Sequence, residues 1–479
     1  MKYYLEEIFH SNKKIILLTF VISCLAVFLN LKVSSSKKDL LMLFLAMFLL
    51  LNDIYLIFVS KKKSILLFII SLPFLVTARK FVQVDFFIFK ISFETIYVTI
   101  LFILNIKKIF NTVKLQFLKG NKKIYMFYIL LFIFIILVYN SNMYSVYFWK
   151  SMSDTYLGVM TPIMFMLSVI AIVEKEDIDK ILYASILSIN LSCFYGLFQI
   201  FKDGISLTSI NKNRALLTFG YHNVNIFAGI LVTIIPILLN YILYSKNSKR
   251  EKIFLYLSFI IQFISLAITF TRGAWLSAAL AIFLIFISKK YKKIVIVMII
   301  LGIVLMKPAL SFVITRGNTT GTFLNNESAV ARLQSIYTDA AIIKNYPFGV
   351  GMSAFPEYYK EFATRGYLMM PDNLRWSIKA AHYMLEHAHN LILQIGVEFG
   401  IISLITYLLI IVNRIKVAFK DYAKNRGLFV SLITYIFFST ITGNEFNHKG
   451  VITGTLIIFL ILGLLQINNF TLEKDSMEV

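Results

Sequence analysis

Charge is scarce in this chain. Only 15% of its 479 residues are Asp, Glu, Lys or Arg, against about 25% in a soluble domain. Proline is sparse, with 7 residues, and cysteine nearly absent, with 2. The shortage of charge stands beside 58% hydrophobic residues and a mean hydropathy of +0.77. Together these exclude a soluble enzyme and a disordered chain. Cys24 and Cys193 both lie inside apolar runs, which excludes a disulfide framework and a cysteine metal set. Also missing are a Walker-type phosphate loop, a Rossmann fingerprint and an Asp-rich pair for a nucleotide-sugar metal site. Their absence argues against a nucleotide-activated donor.

What the chain has is apolar length. Runs of about 17–25 residues recur along it, each long enough to cross a bilayer core of about 30 Å. The fold class is therefore an all-α polytopic membrane protein, with about 12–14 transmembrane helices and one large, partly helical extracytoplasmic loop. Fourteen candidate spans can be drawn: 15–31, 40–59, 64–77, 86–106, 124–138, 157–173, 181–201, 223–244, 253–270, 273–288, 294–310, 389–412, 427–444 and 450–467. The first lacks a small-residue cleavage site and reads as a true span.

The net charge of +23 resembles a nucleic-acid signal, but in a membrane protein it reads as lysine-rich loops that fix topology, and no nucleic acid is expected. Threading the spans alternately places 28 Lys and Arg in 81 residues on one side and 20 in 151 on the other. The dense side is expected to be cytoplasmic, with both termini on it. Residues 307–388 form a long segment on the opposite, outer side, and they hold Pro308, Pro347, Pro356 and Pro371. Long ordered loops tend to be functional. Ala329, Leu333, Ile336, Ala340 and Ile343 repeat at helical spacing there, after the cap candidates Asn326 and Ser328. Residues 373–389 read as a second helix running towards the next span. The expected divisions are N-terminal helices over 1–180, helices with outer-face polar residues over 181–306, the loop subdomain over 307–388, C-terminal helices over 389–467 and a cytoplasmic tail over 468–479.

The unusual residues fall on the outer side. Five of the six histidines are there (His222, His382, His387, His389 and His448), as are Trp149, Trp275 and Trp376. An interfacial belt accounts for the tryptophans. Arg272 sits between two apolar runs with almost no loop, where an arginine is costly unless it snorkels to headgroups or faces a partner. Arg214 and Arg332 come from two other outer segments. Arginine binds phosphate through a planar fork that keeps its charge, so three such residues would suit a diphosphate if they converge. The segment Glu386-His387-Ala388-His389-Asn390 is the densest group of acids and bases at the membrane edge, and histidine can take a proton from a hydroxyl near neutral pH. If this segment is helical, His382, Glu386 and His389 share a face and His387 points away.

In this order the pieces resemble a family. Tyr195-Gly196-Leu197-Phe198-Gln199 comes first, then Arg214 and Phe219-Gly220-Tyr221-His222-Asn223, then Thr271-Arg272-Gly273-Ala274-Trp275. Arg332 follows with Asn345-Tyr346-Pro347-Phe348-Gly349-Val350-Gly351, and last His387-Ala388-His389-Asn390-Leu391 with Gln394, Glu398, Phe399 and Gly400. Across about 195–400 the chain resembles the O-antigen ligase and Wzy-type polysaccharide polymerase superfamily. The resemblance implies a membrane glycosyltransferase of the cytoplasmic (inner) membrane with its active site on the outer face. It would move a glycan from an undecaprenyl-diphosphate carrier to an acceptor hydroxyl, with inversion, no metal and no cofactor. The acceptor would be lipid A–core in a ligase, a second lipid-linked repeat in a Wzy-type polymerase, or a protein in an O-oligosaccharyltransferase. A non-enzymatic lipid-linked glycan flippase or exporter is the rival from another class. The candidate base is His389, with His387 second. Candidate diphosphate- or glycan-binding residues are Arg272, Arg214, Arg332, His222, Asn223, Asn390 and Glu398. Besides the glycan donor and acceptor, membrane lipid is the expected partner.

Overall fold

A computed structural model describes residues 18–24, 37–78, 84–86, 89–206, 209–221, 223–301, 327–375, 385–442, 446 and 452–477. The chain is an all-α polytopic membrane protein. Among the described residues, seven helices are long and apolar enough to cross a membrane: Phe93–Lys119, Lys122–Tyr144, Phe148–Ile172, Lys175–Lys202, Val224–Tyr244, Lys249–Ile268 and Ile401–Lys420. Shorter apolar helices are Leu43–Val59, Arg272–Phe286 and Gly454–Phe470. The candidate spans 15–31 and 294–310 fall largely outside the described residues.

Before the candidate site the helices are α1 (Lys37–Val59), α2 (Lys61–Ala78), α3 (Phe93–Lys119), α4 (Lys122–Ser141), α5 (Phe148–Thr155), α6 (Thr161–Ile172) and α7 (Ile178–Lys202). A π-helical turn, Tyr156–Met160, joins α5 to α6. Val84–Phe86 and Phe89–Ile91 pair as an antiparallel hairpin ahead of α3, so the expected span at 86–106 begins later, at Phe93. Local chemistry sets the turns between spans. Asn121 caps α4 by accepting from the Lys123 and Ile124 amides at 2.9 and 3.1 Å, and an Asn at this position satisfies amides that would otherwise be unpaired.

Next come α8 (Val224–Tyr244), α9 (Lys249–Ile268), α10 (Arg272–Phe286), the loop helices α11 (Glu327–Asn345) and α12 (Phe355–Leu368), then α13 (Leu391–Phe399), α14 (Ile401–Lys420), α15 (Tyr422–Ile441) and α16 (Ile452–Met477). Small residues let the central helices approach closely, as expected where lipid offers no hydrophobic drive between helices. At Gly229 on α8 a Cβ would stand 2.6 Å from the Phe438 ring of α15. The Ser431 hydroxyl donates to the Thr233 carbonyl across the same pair.

Contacts gather the lysine-rich segments at one end. Lys62 pairs with Glu174 at 2.8 Å and Asp177 at 2.7 Å. Tyr241 donates to Asp179 at 2.6 Å, and Tyr291 to the Leu243 carbonyl at 3.3 Å. At the other end the loop helices α11 and α12 share a small core with α13, made of Ala331, Ala341, Ile342, Phe355, Tyr359 and Val397, and Tyr147 donates to Glu357 of α12 at 3.0 Å.

Two expectations need correction. The span at 389–412 is broken: α13 ends at Phe399, Gly400 takes φ +85°, and α14 starts afresh. The helix expected over 373–389 is also absent where the residues are described. Asp372–Arg375 is a single turn, and 385–390 is bent rather than helical. Glu386 and His389 therefore do not share a helical face, and His382 lies outside the described residues. At His389 a φ of +54° lies outside the right-handed helical region and bends the chain there.

Candidate active site

Three polar loops meet at the end opposite the lysine-rich segments, and each is held by residues whose own side chains bond to backbone. The first follows α7. Gln199 accepts from the Thr218 and Phe219 amides, both at 3.1 Å, and donates to the Thr218 hydroxyl at 3.1 Å. Gly196 leaves room for the Phe219 ring, which a Cβ would approach to 1.9 Å. This anchoring presents Arg214. Its guanidinium donates to Asn225 Oδ1 at 2.7 Å and reaches towards the Phe270 carbonyl at 3.4 Å and Thr271 Oγ1 at 3.5 Å. Thr271 also donates to Asn225 Oδ1, at 3.1 Å. Asn225 thus ties the Arg214 loop to the residue before Arg272.

The second loop is Phe270-Thr271-Arg272. Phe270 has φ +49°, and the turn lets α10 start at Arg272, which is half-buried. Gly273 faces Thr442 after α15, and a Cβ there would lie 1.9 Å from the Thr442 hydroxyl.

The third loop carries the histidines. The His387 and His389 rings are 4.2 Å apart at 62°, so His387 is a neighbour of His389 rather than directed away from it. Gln394 Oε1 accepts the Ala388 amide at 2.7 Å. Asn390 caps α13 by accepting from Leu393 N at 3.1 Å. His389 donates a ring N–H to the Thr442 backbone carbonyl. Burial, then the neighbouring His387 and Arg332, hold its pKa down at about 3, and the Thr442 bond opposes them. The imidazole is neutral, with one nitrogen committed to Thr442 and the other left as an acceptor.

Thr442 is therefore the hinge of the site: it touches Gly273, beside Arg272, and His389. Arg332 on α11 acts on His389 from the loop side. Arg214 reaches the Thr271 turn beside Arg272, His387 lies ring to ring with His389, and the charge of Arg332 acts on His389. His222 and His448 lie outside the described residues. Asn223 caps α8 through Asn225 N at 2.7 Å, and buried Glu398 accepts the Ser353 amide at 2.9 Å.

The glycine-rich segment after α11 docks backbone to backbone. Val350 N donates to Val397 O at 3.0 Å, Gly351 N to Glu398 O at 2.9 Å and Ile401 N to Pro347 O at 2.9 Å. Gly349 (φ +88°) and Gly400 (φ +85°) make this possible: a Cβ on either would lie 2.5 Å from the facing backbone. Asn142 Oδ1 accepts Met352 N at 3.1 Å, and Ser151 donates to Met352 O at 2.7 Å. Sequence reasoning missed Asn142, Ser151, Asn225 and Thr442. They are single small polar residues with no periodic signal, and only long-range contacts reveal them.

Residues 257–408 match the family model described as O-antigen ligase, and this match supports membership of the O-antigen ligase superfamily. The matched stretch contains Arg272, Arg332, His387, His389, Asn390 and Glu398, while Arg214 precedes it. No curated protein matches the chain.

Proposed function

We propose, taking the O-antigen ligase match as premise, that this membrane protein transfers a glycan from an undecaprenyl-diphosphate carrier to an acceptor hydroxyl in the manner of an O-antigen ligase. The observation that carries the reading is the meeting of the Arg272 turn and His389 on Thr442, with Arg332 beside the same ring. A neutral imidazole next to guanidinium groups is what such a transfer needs. His389 takes the proton of the acceptor hydroxyl through its uncommitted nitrogen. The acceptor oxygen forms the new bond at the anomeric carbon while the bond from that carbon to the diphosphate oxygen breaks. The electron pair and growing negative charge leave with the carrier diphosphate. Arg272, Arg214 and Arg332 stabilise that charge, and bidentate donors are strongest where water is excluded. One displacement inverts the anomeric centre and needs no covalent glycosyl-enzyme. Asn390, Asn223 and Glu398 serve the site by fixing α13, α8 and the Ser353 turn, and His387 shares the ring environment of the base. The working face is outer, the lysine-rich end cytoplasmic and the membrane the inner one.

The test is transfer by the purified protein from a synthetic undecaprenyl-diphosphate donor, in excess EDTA. Wild type should be fully active there. His389→Ala should insert normally and lose about 10²–10⁴-fold in rate, and His387→Ala should lose less. Full activity of His389→Ala, or wild-type activity abolished by EDTA and restored by a divalent cation, would overturn the mechanism.

A further inference from the structure

The end of the bundle opposite the candidate site holds a cavity of about 450 Å³ between the start of α2 and the second half of α3. Lys61, Lys107 and Lys108 line it, together with the neutral polar residues Asn105 and Asn111. Among the described residues no acidic side chain does. Lys62, next in the chain, is engaged by Glu174 and Asp177, whereas none of the three cavity lysines has an acidic partner among the described residues. Asn105 is buried, and its Oδ1 has no hydrogen-bond partner. A buried acceptor in this state is uncommon and costs free energy. Leu104 and Leu115 form the rim. Along the same helix Ile103, Ile106 and Phe110 are 60%, 56% and 67% exposed, a surface suited to acyl chains.

We propose that this cavity binds an anionic membrane phospholipid. The phosphodiester sits against Lys61, Lys107 and Lys108, a headgroup hydroxyl reaches the Asn105 acceptor, and the acyl chains run along the exposed apolar face of α3. Lysine is a compact point charge that takes phosphate without a fixed fork. Basic pockets between membrane helices on the cytoplasmic side recognise such headgroups. Free phosphate would satisfy the lysines but leave the apolar rim unused, so the lipid is the occupant.

The experiment is native mass spectrometry of the full-length protein in an uncharged detergent, titrated with phosphatidylglycerol or phosphatidylcholine. Wild type should retain phosphatidylglycerol and not phosphatidylcholine, and 10-fold excess inorganic phosphate should not displace it. The triple variant Lys61→Gln, Lys107→Gln, Lys108→Gln should bind roughly a hundredfold more weakly. The corresponding triple Lys→Arg variant should bind as wild type, and Lys249→Gln with Lys252→Gln, at exposed positions outside the cavity, should change nothing. Should the triple Gln variant not fold, Lys107→Gln and Lys108→Gln singly must each weaken binding about fivefold. Equal binding of phosphatidylcholine, displacement by inorganic phosphate, or unchanged retention by the Gln variants would each overturn the proposal.

Discussion

His389 occupies a left-handed backbone conformation at φ +54°, and Phe219, Phe270 and Ser353 do the same nearby at +49°, +49° and +64°. Such residues cost about 1–3 kcal/mol each and persist where surrounding contacts hold them. Here the contacts are known: Gln199 for Phe219, Glu398 for Ser353, Gln394 and Thr442 for the histidine loop. The depressed basicity of His389 has a kinetic consequence. A ring whose pKa is held down at about 3 stays neutral through the range where an ordinary histidine, near 6.5, gains its proton. The acid limb of kcat/KM, which reports the free enzyme, should therefore be absent between pH 5 and 7. Bound diphosphate adds negative charge beside the ring and offsets Arg332, which favours imidazolium. The acid limb of kcat should then lie at higher pH than that of kcat/KM. A kcat/KM limb at about 6.5 would show that the ring titrates as an exposed histidine and would remove His389 as the base described. Arg272 makes a second prediction at this scale. Arg272→Lys keeps the charge but loses the planar fork, so transfer should fall nearly as far as in Arg272→Ala. Full transfer by the lysine variant at equal protein level would reduce Arg272 to a membrane anchor.

At the scale of elements, α11 and the long spans were legible in the sequence, and α13 was not. Ala329, Leu333, Ile336, Ala340 and Ile343 recur at helical spacing, and Glu327–Asn345 is the helix they specify. A predominantly apolar run as long as 223–244 has only one place to go, and Val224–Tyr244 fills it. The break at Gly400 is invisible to hydropathy because apolar residues continue on both sides. It depends on the close approach of Pro347 and Phe348, far away in the chain. The same holds for the histidines: spacing alone suggested a helix, and a distant carbonyl at Thr442 fixes a bend instead. Within α11, Asp339 accepts the Ser335 hydroxyl at 2.9 Å, and its second oxygen is buried without a partner. Burial raises its pKa to about 8. The folded loop thus keeps a proton that the unfolded segment loses above the ordinary carboxyl value near 3.9. Stability contributed by this site is highest in acid, falls as pH rises through the window up to about 8, and is level beyond it. Hydrogen exchange of 330–345, corrected for intrinsic pH dependence, should show weaker protection at pH 8.5 than at pH 5.5. Asp339→Asn should remove the difference and protect the helix at pH 8.5. An unchanged difference in that variant would assign the pH response to another group.

Across the whole molecule the two ends divide the labour by chemistry. Neutral imidazole, arginine forks and backbone-locked loops lie at one end, and lysine clusters with tyrosine and carboxylate partners at the other. The alternation of spans drawn from charge alone separates the same residues, because every lysine left on the wrong side of a bilayer would need a path across it. The ion pairs of Lys62 with Glu174 and Asp177 and the bond from Tyr241 to Asp179 join segments that charge counting had placed together. Lys290 reaches the Leu243 carbonyl at 3.4 Å at this same end. The lysine excess makes the expected orientation this end towards the cytoplasm, with residues 307–388 outside. The check is cysteine accessibility in a background carrying Cys24→Ser and Cys193→Ser, which removes both native thiols. A single cysteine at Asn318 should react with an impermeant maleimide on intact cells, and one at Lys290 should react only after the membrane is opened. Lys290→Cys should still transfer glycan, since Lys290 reaches Leu243 at the end away from the Arg272–Thr442–His389 group. Labelling of Lys290→Cys on intact cells, with Asn318→Cys protected, would invert the protein and place the arginines and His389 on the cytoplasmic side. A carrier-linked glycan that has already crossed the membrane would not reach them there.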